Sequence, residues 1–168
     1  GDQVGKKINQ ARQRVADLIN ADPDEIIFTS CGTESDNSAI YSAINAFPEK
    51  KHIITSNVEH PAVNNLYKEL KKKKGYEVTF VPVDKKGLLD LDLLYNAMSD
   101  NTAIISLMWA NNETGVIFPI EEIAKKANEK GILIHTDAVQ ATGKVPIDVK
   151  KTGIDMLSLS GHKIHAPK

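Results

Sequence analysis

Ile132-Leu133-Ile134-His135-Thr136-Asp137-Ala138-Val139-Gln140 decides the fold, together with Ile154-Asp155-Met156-Leu157-Ser158-Leu159-Ser160-Gly161-His162-Lys163 downstream. In each stretch a short apolar run, Ile132–His135 and Met156–Leu159, ends on a charged or small polar residue. Apolar runs of this length read as strands buried on both faces. Asp137 and Lys163 then stand just past the ends of two strands, 26 positions apart.

The same alternation extends upstream. Gly1 to Asn20 carries Val4, Ile8, Ala11, Val15, Leu18 and Ile19 at helical spacing, and after Asp22-Pro23 the run Glu25–Thr29 reads as a first strand. A helix opens at Gly32-Thr33-Glu34 and runs to Ala46. His52–Thr55 is a strand, and a helix follows from Pro61 to Lys73. Tyr76–Val83 is a strand, Leu89–Met98 a helix and Thr102–Trp109 a strand. A helix from Ile120 to Lys130 stops before Gly131, as a helix carboxyl terminus should. Strands alternating with helices predict an α/β fold: three layers, α/β/α, around a mostly parallel sheet of six strands.

A chain of 168 residues can bury one substantial core, and a net charge of −1 offers nucleic acid no electrostatic footprint. The basic run Lys71–Lys74 reads as a solvated helix end, where lysines suit the dipole. No apolar stretch approaches the ~20 residues of a membrane span. Nothing at the amino end reads as a signal peptide, so the cytoplasm is the expected compartment. The single cysteine, Cys31, excludes an internal disulfide and a cysteine-rich metal site.

In open parallel sheets ligands collect at the carboxyl ends of the strands, and the unusual residues fall there. Gly32-Thr33, at a strand-to-helix turn, suits a phosphate, although such turns also occur without one. The turn lacks the spacing of a P-loop or a dinucleotide fingerprint, which disfavours a nucleotide-binding domain. Asp137 needs a cationic or hydrogen-bonding partner; a protonated pyridine nitrogen would serve, and so would a helix cap. His60 would lie against a ring face, act as acid or base, or be structural. His162 and His165 stand three apart with no third ligand nearby, so no metal is expected. Lys163 would be a surface lysine, or else a desolvated amine nucleophilic toward an aldehyde. Lysine, aspartate and a glycine-containing turn at neighbouring strand ends together suit an aldehyde cofactor with a ring nitrogen and a phosphate.

At these residues the chain resembles the NifS-type cysteine desulfurases, pyridoxal 5'-phosphate enzymes of class V aminotransferase-like, type I fold. The resemblance rests on Phe28-Thr29-Ser30-Cys31-Gly32-Thr33-Glu34-Ser35-Asp36-Asn37, Glu59-His60-Pro61-Ala62 and Met108-Trp109-Ala110-Asn111-Asn112-Glu113-Thr114-Gly115. His135-Thr136-Asp137-Ala138-Val139-Gln140 and Ser160-Gly161-His162-Lys163 complete it, in the family's order. It implies that Lys163 binds the cofactor aldehyde and shuttles the proton, that Asp137 pairs with the pyridine nitrogen and that His60 stacks on the ring. Gln140 would bond the phenolic oxygen, with Asn112 near it and near the substrate carboxylate. Gly32, Thr33, Ser160 and His162 would hold the phosphate.

The implied reaction converts L-cysteine to L-alanine and passes the sulfur, as a persulfide on a protein cysteine, to an acceptor or scaffold protein for iron–sulfur cluster assembly. A homodimer is implied as well. Residues 1–168 would be a single cofactor-binding large domain, incomplete at both ends, with the small domain and the catalytic-cysteine loop outside it. Cys31, in the phosphate turn, is the wrong cysteine for the persulfide, and turnover by this chain alone is not expected. The family's strand after the lysine would flank Glu25–Thr29, which otherwise lacks a neighbour. Selenocysteine lyase, a related class V aminotransferase, or a non-catalytic assembly module are the competing readings.

Overall fold

The structure, a computed structural model, describes residues 2–166; the expected helix start at Gly1 lies outside the described residues. Its elements are α1 (Asp2–Ile19), α2 (Gly32–Ala46), β1 (His52–Ser56), α3 (Pro61–Lys74) and β2 (Glu77–Val81). Then follow α4 (Leu91–Ala97), β3 (Thr102–Met108), α5 (Ile120–Glu129), β4 (Leu133–Asp137), α6 (Val149–Thr152) and β5 (Met156–Ser158). All strand pairs are parallel, in the order β2-β1-β3-β4-β5. The chain crosses to one side of β1 to form β2 and to the other to form β3. The topological switch point therefore lies between β1 and β3, where ligands bind in open α/β sheets.

Two apolar cores separate three layers. On one face Ile40, Ala43 and Ile44 of α2 and Val63, Tyr67 and Leu70 of α3 pack on Ile53 and Ile104. On the other, Leu94 of α4 and Ile123, Ala124 and Ala127 of α5 pack on Ile54, Ile105 and Ile134. Each such aliphatic side chain, once sealed, contributes about 1.5–3 kcal/mol relative to exposure. β1 and β3 are buried at every position, which suits the apolar residues Ile53, Ile54, Ala103, Ile104, Ile105, Leu107 and Met108 that make up most of them. α3 starts on Pro61, with His60 as its cap, and stops where Gly75 takes the left-handed conformation (φ 68°).

Three expectations are corrected. Glu25–Thr29 is not a strand: Pro23–Glu25 forms a 3-10 turn, and the residues after it join no ladder. Ile27 and Phe28 are exposed, the Arg12 guanidinium lies over the Phe28 ring, and Arg12 donates to the Ile26 carbonyl. This segment leans on α1, because no strand within the described residues pairs with it. Among the described residues the sheet accordingly has five strands, not six. The final strand is shorter than Met156–Leu159 and only partly buried, since it forms the sheet edge. α6 and a 3-10 turn over Gly161–Ile164 are too short to carry a periodic signal.

Candidate active site at the carboxyl ends of the strands

Parallel register brings Met108, Asp137 and Ser158 level across β3, β4 and β5. Beyond these positions the chain leaves the sheet: Trp109 N–H donates to the Asp137 carbonyl at 2.9 Å, and Ala138 N–H to the Ser158 carbonyl at 2.8 Å. The strand ends thus form one rim.

Asp137 sits in that rim, 9% exposed, with Oδ1 accepting from Val139 N–H at 2.9 Å. No cation lies within ion-pair distance of it among the described residues. Burial pushes its carboxyl above the ordinary carboxylate range, while the Val139 amide and the nearby imidazole of His60 act in the opposite direction. A carboxylate placed this way selects a cationic group on a ligand.

His60 caps α3, its Nδ1 accepting from Ala62 N–H at 3.2 Å, and it remains exposed toward the rim. Gly32 and Thr33 form the first turn of α2. A side chain at Gly32 would meet Val139 Cγ2 at 3.5 Å and Ser160 Cβ at 3.9 Å, so the start of α2 lies against the segments that follow β4 and β5. The structure therefore brings Gly32, Thr33, Asp137 and Ser160 together, with His60 electrostatically in reach. Ser160 Oγ is 2.8 Å from His162 Nδ1, which ties the turn after β5.

Three expected residues are placed less directly. Gln140 Oε1 accepts from Lys144 Nζ at 2.8 Å. Asn112 lies exposed in the turn after β3, a turn built by Asn111, whose Oδ1 accepts from the Glu113 and Thr114 amides at 2.9 Å each. Lys163 is exposed within the 3-10 turn after β5, not desolvated as expected, because β5 is the sheet edge and that side of the rim is open.

Sequence reading missed the polar layer beneath the rim. On the face covered by α2 and α3, His135 Nδ1 is 2.9 Å from Ser106 Oγ and Nε2 is 3.0 Å from Ser158 Oγ, which accepts from Ser35 Oγ at 2.9 Å. Asp36 and Glu59 are buried here as well, 2% and 5% exposed. Burial, and then the charge of Asp137, push Asp36 up to about 7; burial pushes Glu59 up to about 8. Three carboxyls this close cannot all ionise without a cation in their midst. The available signal was a line of polar residues, Thr55, Ser106 and His135, at aligned positions of otherwise apolar strands.

The aminotransferase class-V family model matches residues 1–168. A cysteine desulfurase of Nostoc sp. is 56% identical over 168 residues, which are the whole of this chain and 42% of that protein. The cysteine desulfurase NifS of Azotobacter vinelandii is 58% identical over 169 aligned residues, again the whole of this chain and 42% of the relative. A solved structure described as SspA in complex with cysteine superposes with a TM-score of 0.93 at 42% identity, over 99% of this chain and 48% of the other. The chain thus spans less than half the length of these proteins.

Proposed function

The chain belongs to the aminotransferase class-V family, in which the cysteine desulfurases are pyridoxal-phosphate-dependent, and from that premise we propose that it is the cofactor-binding portion of a cysteine desulfurase. The observation that carries the proposal is Asp137, a buried carboxylate at the rim of a parallel sheet with no cationic partner among the described residues. The residues fit the cofactor: a ring nitrogen would meet Asp137 and a phosphate the first turn of α2, where backbone N–H groups and the helix dipole favour an anion. When bound, pyridoxal phosphate supplies an aldehyde and an electron-withdrawing ring.

The chain's own groups do the rest. Asp137, in its low-dielectric setting, would hold a proton on the ring nitrogen. Gly32, Thr33, Ser160 and His162 would anchor the phosphate end. His60 would lie against the ring, Gln140 and Asn112 would serve the phenolic oxygen, and Lys163 Nζ would bind the aldehyde and carry the proton of the substrate α-carbon. Exposure of Lys163 leaves it free to move between those two tasks.

L-cysteine as substrate, a dimeric whole enzyme, and a sulfur-acceptor or scaffold protein in iron–sulfur cluster assembly in the cytoplasm complete the proposal. No described helix is long and apolar enough to cross a membrane. Titrating the purified chain with pyridoxal phosphate tests the reading. A saturable visible band is expected; a spectrum equal to that of the free cofactor at every protein concentration would refute it.

A further inference from the structure

We infer that Glu59 is a positioning residue whose buried side chain ties the carboxyl ends of β1 and β3 together and so fixes His60 at the switch point between them. The inference rests on the cofactor reading above for its function, but its geometry stands in the chain alone.

Glu59 Oε1 accepts two hydrogen bonds from different strands' ends, from Ser56 Oγ–H at 2.6 Å and from Met108 N–H at 3.0 Å. Ser56 closes β1 and Met108 closes β3, so one oxygen bridges the two strands that flank the topological switch point. The Glu59 carbonyl accepts from Asn64 Nδ2 at 2.8 Å, and the His60 carbonyl accepts from the Val63 and Asn64 amides at 2.9 and 3.1 Å. Residue 59 is thus fixed at its side chain by the sheet and at its backbone by the first turn of α3. His60 is the next residue, exposed where Glu59 is buried, and its direction follows from that anchorage.

A hydrophobic side chain would bury well here but would leave the Met108 N–H without its acceptor. A serine or threonine is too short to cross from one strand end to the other. Glutamine keeps the acceptor oxygen. The groups facing Glu59 are Asp137 from β4, Asp36 from α2 and Tyr67 from α3, none of them a cation. Burial, with Asp137 and Asp36 adding to it, pushes the Glu59 carboxyl up to about 8, so neutral glutamine matches it in shape and is close to it in charge at pH 7.

Nuclear magnetic resonance of the His60 imidazole in the cofactor-free chain, with pyridoxal phosphate affinity measured alongside, tests the inference. Glu59→Gln should leave the His60 ring signals and the affinity as in the wild type. Glu59→Ala should move the His60 signals and weaken binding about tenfold. The Glu59→Ala, His60→Ala double variant should bind no more weakly than His60→Ala alone, since the two act as one unit. Should Glu59→Ala fail to fold, Ser56→Ala removes one of the two donors to Glu59 Oε1 and should shift the same signals. Unmoved His60 signals in Glu59→Ala, or in Ser56→Ala, would overturn the inference; so would losses that multiply in the double variant. A wild-type chain that binds no pyridoxal phosphate would defeat the cofactor reading instead, leaving the His60 signals to decide the role of Glu59.

Discussion

Asp36 Oδ1 lies 3.6 Å from His135 Nε2, both side chains sealed from solvent beneath the rim that holds Asp137. Burial moves the two groups in opposite senses, the acid up to about 7 and the imidazole down to about 4. Between those values the pair holds a protonated acid beside a neutral base. The layer supporting the site is therefore uncharged, which leaves Asp137 as the carboxylate available to a cation.

Asp36→Asn should stabilise the chain at neutral and alkaline pH. A carboxyl whose folded-state value is raised from 3.8 to about 7 binds its proton more tightly when folded, so its contribution is full at low pH and is lost as pH rises through that window. Unfolding free energies of variant and wild type from urea denaturation should converge near the lower limit and separate by on the order of a few kcal/mol above the upper one. Parallel curves across the window would contradict the assignment.

His135→Gln should behave oppositely. The imidazole value falls from 6.5 to about 4 on folding, so the unfolded chain takes up the proton first and wild-type stability drops as pH falls through that range. Compared with wild type at each pH, the variant should gain ground on acidification from 6.5 toward 4. A constant difference would show that His135 does not titrate with unfolding.

Asp137→Asn should separate stability from binding. Burial raises the Asp137 carboxyl, so the amide should stabilise the cofactor-free chain increasingly as pH rises above the carboxylate range. Losing one partner of a buried ion pair typically costs about 2–5 kcal/mol, which predicts affinity for pyridoxal phosphate weakened by at least about 30-fold. Thermal denaturation and absorbance titration read the two effects separately.

Cys31 should contribute its backbone to the phosphate turn and not its sulfur to the reaction. It is the N-cap of α2, and the Glu34 amide, followed by the Ser30 hydroxyl, holds the exposed thiol below its ordinary value. Iodoacetamide should therefore modify it readily and block pyridoxal phosphate, whereas Cys31→Ala should bind the cofactor as the wild type does. Incubated with cysteine, the chain should release no sulfide; release abolished by Cys31→Ala would contradict this.

Elements built from local pattern were legible in the sequence. α3 announces itself through His60-Pro61 and Gly75, α5 through Ile120, Ile123, Ala124 and Ala127, and β3 through a mostly apolar run. The place of Asp137 at the end of a buried strand was legible as well, because an apolar run that stops on a carboxylate marks its own end. What depends on distant pairing was not legible. Ile26-Ile27-Phe28 has the composition of a strand, yet sheet membership requires a neighbour that local composition cannot supply. Asp36, Glu59 and His135 read as ordinary polar residues until register aligns Ser106 with His135 and Asp137 with Ser158. Lys163 followed the same rule in reverse: the strand before it suggested burial, and its place at the sheet edge left it exposed.

The central claim is that Lys163 and Asp137 act on one bound pyridoxal phosphate. Borohydride reduction of the chain saturated with that cofactor, followed by peptide mapping, tests it most directly. The account predicts a single pyridoxyl label on Lys163, absent in Lys163→Ala and strongly reduced in Asp137→Asn at the same cofactor concentration. Label spread over surface lysines such as Lys71–Lys74, unchanged by either substitution, would contradict it.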